Sequence, residues 1–152
     1  MVQGTGYPFV LTLVLSIHSI IAGATLGLEK SIVSSIVIFI AIISHKGCAA
    51  FALGVSLREA DFSRPRMVGV ITLFSCMTPL GIILGSIFST ILKGKAAYAL
   101  EAVFDGLAAG TFLYIAILDI MVEVFDRKPD RWANYFLMIL GFALMAVIAI
   151  WT

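Results

Sequence analysis

Long apolar runs separated by short polar breaks make up nearly the whole chain. The runs cover about 8–28, 32–57, 67–92, 96–125 and 132–151. Each holds roughly 20 residues or more, enough at about 1.5 Å per residue to cross ~30 Å of hydrocarbon. Inside a bilayer such runs must be helical, because a helix satisfies its own backbone donors and acceptors. The pattern therefore predicts an all-α fold: a polytopic membrane helix bundle of about five transmembrane helices. The breaks read Glu29-Lys30-Ser31, Arg58 to Arg66, Lys93-Gly94-Lys95 and Asp126 to Arg131. Pro65 and Pro129 sit in the two longer ones, as expected of turns.

Composition supports the same solvent. Of the 152 residues, 61% are hydrophobic and 12% charged, with a mean hydropathy of +1.11. A water-soluble domain carries about 25% charged residues. Net charge is +1, and no basic run interleaved with aromatics points to nucleic acid. The N-terminus has no basic region ahead of its first apolar run, which is long enough to span, so no cleavable signal peptide is expected. The second and fourth breaks hold Arg58, Arg64, Arg66, Arg127, Lys128 and Arg131; the first and third hold only Lys30, Lys93 and Lys95. That bias places the second and fourth breaks in the cytoplasm, with the N-terminus inside and the C-terminus outside. Trp132, Tyr135 and Trp151 suit interfacial anchors of the last span.

Three G-x-x-x-G pairs, Gly23 with Gly27, Gly81 with Gly85 and Gly106 with Gly110, predict close helix packing. In the first run Thr12, Ser16, Ser19, Gly23 and Gly27 form a small, weakly polar stripe at helical spacing, expected to face other helices. Cys48 and Cys76 lie in apolar runs and read as buried small hydrophobes. Pro79, within the third run, is expected to kink or break its helix; the freed carbonyls either line a polar path or the kink only sets shape.

Ionisable residues at membrane depth cost several kcal/mol unless paired or wet, so each is a candidate for function. His18 and His45 are the only histidines, each near the middle of its span. Consecutive spans run antiparallel, so the two imidazoles can meet at one depth, where they suit Zn²⁺ or Fe²⁺. The alternative is two unrelated histidines, each hydrogen-bonded to a hydroxyl or carbonyl. Lys46 faces a wet cavity, pairs with an acid or stands in for a bound cation; otherwise it reaches toward the interface. Glu101 with Asp105, and Asp119 with Glu123, are i, i+4 pairs on one helix face. They read as cation-attracting vestibules, with Asp105 and Asp119 the candidate pathway acids, or as interfacial acids in water.

These residues also carry a resemblance. The runs His18-Ser19-Ile20-Ile21-Ala22-Gly23, His45-Lys46 with Phe51-Ala52-Leu53-Gly54, Thr78-Pro79-Leu80-Gly81 and Ala109 to Tyr114 resemble, in order and spacing, the ZIP family of divalent-metal transporters, in its His-Lys animal-type branch. The resemblance implies helices four to eight of an eight-helix fold, with the first three lacking. It implies metal ligands at His18 and His45, with Ser19 and Lys46 adjoining. Lys46 then replaces a carboxylate or amide that holds a second metal in other members. Ala22 and Ala49 stand where the family often has Glu, and Thr78 where binuclear members have an acid.

The expected function is transport of a divalent cation, zinc first and iron or manganese as alternatives, toward the cytoplasm across the plasma membrane. The ion is cargo, no cofactor is expected, and the expected partners are the metal ion, the lipid bilayer and a separate N-terminal half or homologous subunit. One alternative is a non-transporting membrane partner, or a truncated relic, of such a transporter. Another is a bis-histidine haem protein. No Ser/His/Asp set, H-E-x-x-H or phosphate loop points to an enzyme.

Overall fold

The computed structural model describes residues 6–121 and 131–149. Among them it holds α-helices and one π-helical segment, and no strand. The α-helices are α1 (Tyr7–Leu28), α2 (Ile32–Glu59), α3 (Arg64–Ile91), α4 (Lys95–Tyr114) and α5 (Arg131–Ala149). A π-helical segment, Ile115–Met121, prolongs α4. Helices α1, α2 and α3, and α4 with its extension to Ile117, are each long and apolar enough to cross a membrane; α5 contributes the shorter apolar stretch Trp132–Leu144.

The turns follow from their residues. Ser31 caps α2 by accepting from the Ser34 N–H at 3.4 Å. The Glu29 carboxylate accepts from the amides of Lys30 and Ser31 at 2.8 and 2.7 Å, holding the α1–α2 connection tight. Gly94, at φ +64, reverses the chain between α3 and α4 in the left-handed region that a side chain disfavours.

Helix α1 is the axis of the bundle. It packs against α2, α3 and α4, and most closely against α3. Its buried positions, including Leu11, Leu15, His18, Ala22 and Leu28, recur at helical spacing. Its contact with α3 is backbone against backbone. A Cβ on Gly23 would strike the Thr78 carbonyl and come 3.1 Å from the Cα of Gly81. A Cβ on Gly81 would strike the Ile20 carbonyl, and one on Gly85 the Ala24 carbonyl. Two of the three expected glycine pairs thus meet each other across one seam. The third does not take part: Gly106 and Gly110 face open space.

A cluster of Leu11, Leu15, Leu53, Leu57, Phe74 and Ile115 closes the core toward the end where α1 begins. Elsewhere apolar side chains such as Ile36, Phe39, Ile40, Ile83 and Phe142 point outward, as lipid-facing surfaces do. Two sequence expectations need correction. Cys48 and Cys76 are exposed, not buried, because apolar surroundings in a lipid-facing helix do not imply burial. Of the kink or break expected at Pro79, the break does not occur: α3 continues through it. The fourth run is helical over its described part, as α4 and then as the π-helical segment from Ile115; residues 122–130 lie outside the described part, Glu123 among them. Trp132 and Tyr135 are exposed, as interfacial anchors would be; Trp151 also lies outside the described residues.

Candidate metal site

The middle of the bundle brings together side chains from four helices. His18 of α1 is 6% exposed, and His45 of α2 is half-buried. Their ring centroids lie 5.8 Å apart at an interplanar angle of 50°. Phe112 of α4 closes one side, with its ring 5.6 Å from His18 and 5.1 Å from His45. Both histidines line a cavity of about 10 Å³, room for about one water-sized particle.

The hydrogen bonds fix how His18 is presented. Its Nδ1 lies 3.0 Å from the Thr111 hydroxyl oxygen. That hydroxyl is itself within reach of two carbonyls of its own helix, Leu107 at 2.7 Å and Ala108 at 3.1 Å. When its single proton goes to one of them, its oxygen accepts from His18 Nδ1–H. The other nitrogen, Nε2, then carries the lone pair. Nε2 is buried and has no hydrogen-bond partner. A buried polar atom left without a partner is costly, and a lone pair held this way, with the opposite nitrogen anchored, is the arrangement of a histidine that ligates a metal.

Lys46 turns inward rather than toward the interface. Its ammonium donates to the Thr78 hydroxyl at 2.7 Å, to the Phe74 carbonyl at 3.3 Å and to the Ser19 hydroxyl at 3.5 Å. It also lies 4.3 Å from the centroid of the Phe74 ring, a cation–π contact. A lysine at membrane depth is thus held by neutral groups of α1 and α3. Ser19, 4% exposed, is joined to the site through that contact.

Ala22 and Ala49 line the same cavity. The two positions where the family often carries Glu therefore face the space beside the histidines, and here they present methyl groups. Among the described residues, no third His, Cys, Asp or Glu joins the pair. Asp105 is exposed on α4 and Glu101 is half-buried on the same helix; neither reaches the histidines. Asp119 falls in the π-helical segment, and its side chain lies outside the described residues. Thr111, Phe112 and Phe74 are site residues that sequence reasoning did not single out. A threonine or phenylalanine in an apolar run is too ordinary to stand out, although Thr111 and Phe112 lie within one of the motifs quoted above.

A porphyrin does not fit here. The cavity admits one small particle, and Phe112 packs against both imidazoles. The bis-histidine haem reading is set aside on that ground.

Residues 5–149 match the family described as ZIP Zinc transporter. The chain is 37% identical over 148 residues to protein zntD of Dictyostelium discoideum, covering 95% of this chain and 21% of that protein. It is 33% identical over 142 residues to zinc transporter ZIP2 of Mus musculus, covering 93% of this chain and 46% of that one. It is 35% identical over 136 residues to zinc transporter ZIP1 of Homo sapiens, covering 90% and 42%. The chain thus spans less than half the length of these relatives. No solved structure matches it. With a family match over nearly its full length and apolar helices throughout, the chain is an integral membrane protein that belongs to the ZIP zinc transporter family.

Proposed function

We propose that this chain takes part in moving a divalent cation, zinc first, across a membrane. The observation that carries the reading is the buried, unpartnered Nε2 of His18, held beside His45 at mid-bundle. Zinc accepts imidazole nitrogen readily, and iron or manganese are the alternatives. The chain's own residues bind and orient: His18 and His45 ligate, Thr111 holds the His18 ring, and Phe112 limits water. Asp105 and Asp119 act as acids along the path to and from the site. The role is transport rather than catalysis, which fits the names of the relatives.

The charge bias of the breaks orients the chain with its N-terminus in the cytoplasm and its C-terminus outside; the resemblance to the family implies that the ion is carried inward, across the plasma membrane. The match to less than half of each relative favours a working assembly that includes a separate N-terminal half or a homologous subunit. The same observation, together with alanines at Ala22 and Ala49, favours a second reading: a membrane partner that binds such a transporter without transporting. Zinc uptake by the full assembly in vesicles separates the two. Loss of uptake in the double variant His18→Ala, His45→Ala supports transport. Uptake unaffected by that variant, with this chain still bound to a larger homologue, supports the partner role.

A further inference from the structure

The cavity beside the histidines is closed unequally toward the two ends of the bundle. Leu15 and Phe74 form part of its wall. Both also belong to the buried apolar cluster toward the end where α1 begins, with Leu11, Leu53, Leu57 and Ile115. Three α-helices and the π-helical segment converge there, and Phe74 is 1% exposed. An apolar cluster packed this way excludes water and offers an ion no ligand. Toward the opposite end the packing along α2 is more open: it has no buried residue before Ile42, and Ser34 and Ser35 are half-buried. An ion held between His18 and His45 thus faces a continuous apolar barrier toward the end where α1 begins.

Phe74 is the largest fully buried side chain of that cluster, and it is the one tied to the site. Lys46, the residue after His45, holds it twice. Its ammonium donates to the Phe74 carbonyl at 3.3 Å and lies 4.3 Å from the centroid of the ring. The first contact fixes the backbone of α3 at that point, and the second fixes the ring. Lys46 also lines the cavity. A cation at membrane depth costs several kcal/mol unless it is paired, and the face of an aromatic ring offsets part of that cost. The ammonium and the ring therefore hold each other. The ring that closes the cavity is thereby tied to the helix that carries His45.

We propose that Phe74 is the barrier on the route between the histidine pair and the end where α1 begins, and that Lys46 holds it shut. The proposal rests on the transport reading above and adds the exit step to it. Hydrophobic constrictions bar ions by excluding water. An ion leaving toward that end, the cytoplasmic one by the charge bias of the breaks, passes only once the Phe74 ring has parted from Lys46. The test reads access to the cavity instead of uptake. Cys48 and Cys76 are exposed and are first replaced by serine. Ala22→Cys then sets a thiol on the cavity wall. Silver ions, small and thiol-seeking, are added to one side or the other of vesicles holding the full assembly. Each thiol they reach is blocked against later alkylation in denaturant. Blocking in the parent is expected to be slow from the side where α1 begins and faster from the opposite side. Lys46→Met, which leaves the ring in place but removes the cation–π contact, raises the slow rate about tenfold. Phe74→Ala raises it at least as much. Leu11→Ala, a truncation in the same cluster at a residue that does not line the cavity, leaves it near the parent rate. Equal access from both sides in the parent overturns the proposal. So does an unchanged rate in Lys46→Met, a variant that keeps the test valid even where Phe74→Ala fails to fold. A rise in Leu11→Ala as large as in Phe74→Ala overturns it too, since the whole cluster and not one residue would then be the barrier. Silver access is read without zinc, so failure here is distinct from failure of the transport reading, which the uptake of the His18→Ala, His45→Ala variant decides.

Discussion

The Lys46 ammonium on α2 donates to the Thr78 hydroxyl on α3 at 2.7 Å, one turn from the Phe74 carbonyl to which it also donates. A single side chain thus ties the second helix to the third in the middle of the bundle. Lys46→Met keeps the length of the stem and removes all of these bonds. The expected loss is ~0.6–2 kcal/mol of bundle stability, the range for interhelical hydrogen bonds in membranes. Unfolding by titration with sodium dodecyl sulfate measures it.

The glycine seam gives a sharper contrast. Gly23→Ala places a methyl group against the Thr78 carbonyl, and a backbone cannot turn aside as a side chain can. The expected cost is about 1–3 kcal/mol, as for other overpacked sites. Gly106→Ala meets nothing within 4 Å and is expected to be neutral or, through helix propensity, to stabilise by up to ~1 kcal/mol. The same detergent titration, run on both variants, reads the difference.

Thr111 positions His18 rather than touching the ion. Thr111→Val removes the acceptor for Nδ1–H and frees the ring to change tautomer and orientation. Zinc affinity is expected to fall by about tenfold or more, the usual effect of losing the group behind a ligating histidine. Thr111→Ser keeps the oxygen and should keep the affinity. Competition against a chromogenic chelator decides between them. Asp105→Asn, at an exposed position, should leave this affinity unchanged.

Ala49 lies one turn after His45 and lines the same cavity. Ala49→Glu places a carboxylate beside the two imidazoles, the kind of ligand the pair lacks among the described residues. Zinc binding should tighten by about tenfold or more, at least ~1.4 kcal/mol. Isothermal titration of the purified chain with zinc reads this directly; an unchanged affinity would mean that the carboxylate fails to reach the ion.

The all-helical membrane fold was legible because hydropathy reports the solvent directly: runs such as Ile32 to Leu57 fit no other setting. What hydropathy does not report is which helix lies inside. In lipid, Ile36 on the surface and Leu53 in the core are chemically alike, which is also why Cys48 and Cys76 were placed wrongly. The small residues were the better guide, since only glycines permit the contact between Gly23 and Gly81. Even so, they did not reveal that Gly106 and Gly110 would face outward. His18 and His45 stood out as ionisable groups at equal depth. Their sharing of a cavity depended on the rotation of α1 and α2 about their axes, which depth alone does not specify. Thr111 gave no signal of its own, because its role comes from the carbonyls of Leu107 and Ala108 behind it.

The separation of His18 from Gly23 has a consequence for how this sequence can change. Five residues along an α-helix amount to a rotation of about 140°, so the imidazole and the glycine look toward different neighbours: His18 toward α2 and α4, Gly23 into the α1–α3 seam. Each fixes the phase of the helix for the other. Inserting or deleting one residue anywhere between them would rotate one of the two faces by about 100°, either swinging His18 away from His45 or driving a side chain into the backbone of α3. The interval between these positions is therefore a geometric lock, closed to any change in length.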